Sequence, residues 1–171
     1  FKDAGLEYTG ALKVLQMIFS YEYLWIQIRV KGGAYGCMCS FSDQGDSMFV
    51  TYRDPNLSES YKVYDEAADY VADFDADDRD MKKYIIGTIG SMDMPMEAVD
   101  MGARSFHAYF LGKTEADLQK VRDQVLSCTQ EDIRALAPIV KAVVEAGNRC
   151  CIGNEEKIDQ NKEYFDEVKH V

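Results

Sequence analysis

The sequence predicts an α+β domain, and three observations carry that reading. Residues 34–41, AYGCMCSF, and 47–53, SMFVTYR, flank the polar turn SDQGD and read as a β-hairpin. Residues 9–30, TGALKVLQMIFSYEYLWIQIRV, are apolar on all but one narrow stripe, the pattern of a mostly buried helix. Beyond residue 56 the chain is a block of helical periodicities punctuated by caps and breakers. Hairpin strands beside a block of helices indicate two packed layers.

Each element follows from local chemistry. Thr9 is placed as the N-cap of the first helix. Its polar positions Lys13, Gln16, Ser20 and Gln27 form the single wet stripe, so the helix is expected to lie across the sheet and be covered again. Gly32 and Gly33 break it. Asp54-Pro55-Asn56 end the second strand, and Asn56 with Glu59 reads as a capping box for a helix over 57–74. The acidic stretch DFDADDRD follows. Residues 77–112 are helical in pattern, interrupted at MDMPM, where Pro95 is expected to start a new helix. Thr114 and Thr129 are N-cap candidates for helices over 115–127 and 130–146. AGNR stops the latter. RCCIG, residues 149–153, reads as a short third strand, and 154–168 as a terminal helical segment. Three strands are few for so apolar a helix, and the chain begins at Phe1. A piece of a longer protein, lacking a preceding strand, is therefore expected.

The chain has 171 residues, 47% of them hydrophobic, enough for one domain with a sizeable core. Its formal net charge of −11 repels phosphate backbones and argues against nucleic acid as a partner. The same field favours basic peptides, and it also serves solubility. No apolar run approaches the roughly 20 residues of a membrane helix. No targeting leader is visible. The five cysteines show no Cys-x-x-Cys spacing. Most stand in apolar company and read as free thiols of a reducing compartment.

The chemistry-bearing candidates are few. Asp73, Asp75 and Asp77 match the first ligand positions of a calcium loop, but Asp78 stands where glycine is needed and Tyr84 where the bidentate glutamate belongs. A solvated helix junction is the better reading. His107 and His170 belong to no metal-spaced pair, so no zinc ligands are assigned to this chain. No serine or cysteine has an identifiable base. GGAYG lacks the Lys-Ser/Thr ending of a phosphate loop and precedes a strand rather than a helix. The same glycines permit a sharp break that holds Arg29 and Tyr35 near one another. A guanidinium and a phenol are two strong donors, suited to a peptide carbonyl or to the oxyanion formed when water attacks it. Alternatively Arg29 pairs with a carboxylate and Tyr35 packs.

SYEYLWIQIRVKGGAYGCMCSF, VTYRDPNL, KKYIIGTIGSMDMP and YFLGKTEADLQKVRDQVLSCTQEDIRAL together resemble the C-terminal half of presequence-protease-type peptidases, members of the pitrilysin/insulinase superfamily of zinc metallopeptidases. The blocks arrive in the family's order over most of the chain, and Arg29 to Gly36 is the most specific of them. The resemblance implies a two-layer α/β sandwich of the pitrilysin/processing-peptidase type, here without its first strand. It implies that residues 1–171 are one domain, the C-terminal, non-zinc domain of a multi-domain endopeptidase whose two halves enclose unfolded peptides. Zinc would be held in the N-terminal half by His-x-x-Glu-His and a distal glutamate. Arg29 and Tyr35 would be the catalytic donors reaching across the chamber, with Gly32, Gly33 and Ala34 as the turn against the substrate. The YRDPN block, with Tyr52, Arg53 and Asp54, is read as structural. A superfamily subunit that keeps the fold without catalytic duty is the alternative. Free thiols and the absent leader favour a bacterial cytoplasm, with the mitochondrial matrix as the other choice.

Overall fold

The computed structural model describes residues 1–169; His170, the tail histidine, lies outside them. Helix α1 covers Ala11–Ile18. From Phe19 its bonding widens to the π pattern, over Phe19–Tyr23 and again over Trp25–Lys31. The N-cap is Gly10, not Thr9, whose hydroxyl accepts only a long bond from the Ala11 N–H at 3.4 Å. Tertiary contact displaces the local cap: the Gly10 N–H donates to Gln124 Oε1 at 2.8 Å, and a Cβ there would stand 2.4 Å from the Val121 carbonyl oxygen.

Strands β1, Gly36–Phe41, and β2, Ser47–Tyr52, pair antiparallel, with Gly36 opposite Tyr52 and Phe41 opposite Ser47. Cys39 and Phe41 are buried toward α1, while Met38 and Met48 on the other face are 54% and 57% exposed. Among the described residues the sheet has these two strands. Residues 149–153 do not form the expected third strand. Arg149 instead ties this stretch back to the helix that follows β2, reaching Asp65 at 3.0 Å with its guanidinium 5.0 Å from the Tyr61 ring. Asn148, Arg149 and Cys150 line a groove of about 350 Å³ together with Ser47, Met48 and Phe49. The segment thus stands off from β2, and Ile152 is 98% exposed.

The expected helix over 57–74 is two helices, α2, Leu57–Asp65, and α3, Ala67–Ala72, which bend at Glu66 to bury Ala67 and Val71. α4, Asp78–Met92, is capped by Asp77, whose carboxylate accepts the Arg79 and Asp80 N–H groups at 2.9 Å. The acidic stretch is therefore a helix start, and acidic side chains there oppose the positive end of the dipole. α5, Ala98–Phe110, begins after Pro95, which sits in the link rather than in the first turn. Thr114 and Thr129 cap α6, Glu115–Leu126, and α7, Gln130–Arg134, each in a reciprocal box with an aspartate three residues on. The expected 130–146 helix is interrupted before α8, Ala137–Glu145, because Pro138 suits a first turn and not an interior. A short α9, Glu155–Asp159, and a 3₁₀ turn, Lys162–Tyr164, replace the terminal helix.

α1 is the axis of the core. Leu12, Leu15, Ile18, Phe19 and Leu24 are fully buried among the hairpin's inner face, α3, α4, α7 and α8. Its polar stripe is only half-buried, whereas Tyr21 and Val30 are 65% and 66% exposed. α5 stands outside this core with Val99, Phe106 and Tyr109 open. Among the described residues no helix is long and apolar enough to cross a membrane. All five cysteines are free; burial pushes Cys39 and Cys128 up to about 12, while Cys150 is exposed.

Buried phenols set an alkaline limit. Burial raises Tyr8, Tyr61 and Tyr70 from 10.0 to about 12, and raises Tyr23, Tyr64 and Tyr84 further. The unfolded chain releases these protons first, so the stabilisation is complete below pH 10 and falls as pH rises through the folded values. Thermal melts at pH 9, 10 and 11 are expected to show a midpoint that drops only above about 10, together with tyrosinate absorbance. A midpoint flat through pH 11 would count against this burial.

Candidate functional site

The π-helical end of α1 delivers the site. On a helix surface residues four apart are neighbours, and Arg29 folds its guanidinium over the Trp25 ring, 4.1 Å from the centroid. The helix then stops on the two glycines. Gly33 takes a left-handed φ of +79°. Its N–H folds back to the Arg29 carbonyl at 3.0 Å, and the Ala34 N–H to the Ile28 carbonyl at 3.1 Å, satisfying carbonyls that a helix end leaves open. Gly32 serves a different need, since a Cβ there would lie 2.5 Å from the Ile28 carbonyl oxygen.

The turn is held from the other side by the segment after β2. Asn56 does not close the expected capping box; its Nδ2 donates to the Gly32 carbonyl at 2.6 Å. Asp54 steadies that asparagine by accepting its N–H at 2.9 Å and the Ser60 hydroxyl at 2.5 Å. The Tyr35 N–H then pairs with the Tyr52 carbonyl at 3.1 Å, which starts the hairpin.

Trp25, Arg29, Gly33, Ala34, Tyr35 and Arg53 line one cleft of about 450 Å³. The structure thus brings Arg29 and Tyr35 to a common wall. Tyr35 is 65% exposed, its ring 5.9 Å from that of Tyr52 at 80°. Among the described residues no carboxylate lies within 4.0 Å of the Arg29 guanidinium. Arg29 therefore lacks the carboxylate partner of the alternative reading, while Tyr35 does pack, edge-on against Tyr52. Burial raises the Cys37 thiol, with the nearby Arg29 charge acting in the opposite sense. Gly33 is exposed, Ala34 is buried, and the Gly32 carbonyl and Ala34 amide are engaged within the chain. Trp25, Val30 and Arg53 also line the cleft and are not among the expected site residues; the sequence reading takes Arg53 as structural. Its signal was its place within the YRDPN block.

The described residues bring no group of three or more His, Cys, Asp or Glu side chains together. His107 lies exposed on α5.

Gly32→Ala and Gly33→Ala are expected to differ. Gly33→Ala meets only the Pro55 Cγ at 3.7 Å, so its cost is the left-handed backbone, about 1–2 kcal/mol. Gly32→Ala drives a methyl into a backbone oxygen and is expected to cost more, up to about 3 kcal/mol. Urea unfolding of both variants checks the order.

By fold this is a mixed α/β domain, mostly helical, whose small hairpin sheet and first helix build an open cleft of donors. Over residues 1–154 the sequence matches the family described as the PreP C-terminal domain, and the chain belongs to that family. It is 41% identical, over its whole length, to Protein HypA of Clostridium perfringens, of which it covers 18%. It is 33% identical to Presequence protease 1, chloroplastic/mitochondrial, of Arabidopsis thaliana, with 98% of this chain and 16% of that protein aligned. It is 34% identical to the mitochondrial presequence protease of Aspergillus fumigatus, over 87% of this chain and 14% of that protein. The chain therefore spans less than a fifth of the length of these relatives.

Proposed function

We propose that this chain is the C-terminal domain of a zinc-dependent endopeptidase of unstructured peptides, and that Arg29 and Tyr35 are its contribution to the chemistry. The observation that carries the reading is their shared cleft: a guanidinium without a carboxylate partner and an open phenol, both donors, facing one space. A peptide carbonyl oxygen gains negative charge when water adds to its carbon. Two donors already in place bind that oxygen more tightly in the transition state than in the substrate. The exposed backbone at Gly33 lets an extended peptide come close, and Gly32 and Ala34 shape the turn behind it.

Zinc, held by the parent's N-terminal half, would supply the activated water. This chain supplies grip and charge stabilisation, so the isolated domain is expected to be inactive. The reading includes a pitrilysin-type sandwich completed by chain outside these residues. The uncovered apolar side chains of α5 suit packing against the remainder of the parent. Five free thiols suit a reducing compartment, a bacterial cytoplasm or else a mitochondrial matrix.

The test is to isolate the native polypeptide that contains this sequence and measure its mass, bound zinc and peptidase activity together. A chain several times longer that carries zinc and cleaves an unstructured peptide, with activity lost to a chelator and restored by zinc, is the expected result. A short, zinc-free chain would overturn it in favour of a non-catalytic partner subunit.

A further inference from the structure

Alone among the described non-glycine residues, Arg53 has a positive φ, +49°. Any residue with a Cβ is disfavoured there, and glycine or asparagine is the usual occupant. A strained residue at the rim of a cleft calls for a reason in what its side chain does. The left-handed turn at the end of β2 carries the Arg53 side chain back over the hairpin's open end. Its guanidinium lies 5.3 Å from the Tyr52 ring and 5.8 Å from the Tyr35 ring. Its carbonyl shares the Tyr35 N–H with that of Tyr52, at 3.4 and 3.1 Å. Arg53 therefore meets Tyr35 at both the backbone and the ring. Among the described residues no carboxylate lies within 4.0 Å to draw it away.

An exposed tyrosine side chain would otherwise exchange rotamers freely. Here a cation on the Tyr35 ring and a second ring at 80° to it restrict that freedom. We infer that Arg53 is a positioning residue, which holds the Tyr35 ring so that its hydroxyl is presented to the cleft. The inference rests on the reading of Tyr35 as a donor to the reacting carbonyl. It explains why arginine stands at a backbone position better suited to glycine.

The experiment uses the full-length polypeptide. Arg53→Gly removes the guanidinium and accepts the positive φ without strain; Arg53→Lys keeps a cation. Arg53→Gly is expected to lower kcat about ten- to hundredfold with KM little changed, and to melt close to the wild-type temperature. Arg53→Lys recovers part of the loss. In the Tyr35→Phe background Arg53→Gly costs nothing further, because the hydroxyl it positions is gone. Fluorotyrosine incorporated at Tyr35 gives a readout independent of activity: one narrow ¹⁹F line with Arg53, and a broadened or multiple signal with Arg53→Gly. Wild-type turnover and an unchanged line in Arg53→Gly would overturn the inference. So would losses that multiply in the double variant, which would mean that Arg53 acts on the substrate directly. Should Tyr35→Phe keep full activity while the line broadens in Arg53→Gly, the contact stands and the catalytic reading of Tyr35 fails.

Discussion

Tyr35→Phe is expected to lower peptide turnover in the full-length polypeptide about a hundred- to thousandfold, the usual cost of one donor to a developing oxyanion. The substitution removes one oxygen and leaves the ring, which keeps its edge contact with Tyr52 and its place beside Arg53. At 65% exposure the residue adds little to the core, so stability should shift by no more than about 0.5 kcal/mol. A donor that binds the oxyanion but not the ground-state carbonyl changes kcat and kcat/KM together and leaves KM nearly alone. Steady-state kinetics on a peptide substrate, beside a melting curve, separates this from misfolding. A fall confined to KM would assign Tyr35 to binding, and an unchanged kcat would take it out of the chemistry.

The largest effect on stability is expected at Phe19. Its side chain is fully buried where α1 crosses the hairpin, with the rings of Tyr23, Phe41, Phe49 and Tyr70 at centroid distances of 5.6, 6.3, 5.8 and 6.1 Å. Those rings come from the helix, both strands and α3, so one side chain joins both layers. Phe19→Ala should cost about 3–5 kcal/mol, lost transfer energy plus an unfilled cavity. Phe19→Leu, which fills most of the space, should cost markedly less. Urea unfolding followed by circular dichroism reads both, and equal losses would mean that the cavity is not what matters. Phe19 is also where the helix widens to π bonding. Its loss should loosen the segment that carries Arg29, and so lower activity as well as stability.

Much of this was legible in the residues. The apolar helix, the hairpin and the capping threonines Thr114 and Thr129 follow from short-range chemistry that needs no partner. Thr9 was misread as a cap, and Asn56, which does stand at the N-cap of its helix, was misread only in its side chain. In each case a distant group replaced a plausible local use. Gln124 takes the Gly10 amide, and Asn56 turns to the Gly32 carbonyl. RCCIG has strand composition, but Arg149 is engaged with Asp65 and Tyr61, and pairing needs an edge that composition does not supply.

By itself the sequence determined the α+β class, the glycine break, and the resemblance that pointed to a presequence-protease C-terminal domain. These rest on periodicity, on backbone freedom and on ordered blocks, all properties of neighbouring residues. Tertiary structure alone decided that Arg29 lies on Trp25 without a carboxylate, and that an open Tyr35 and Arg53 line the same cleft. A cleft is made where a helix end, a strand start and a loop from beyond the second strand converge. Which charge meets which ring there depends on distances that adjacency along the chain does not encode.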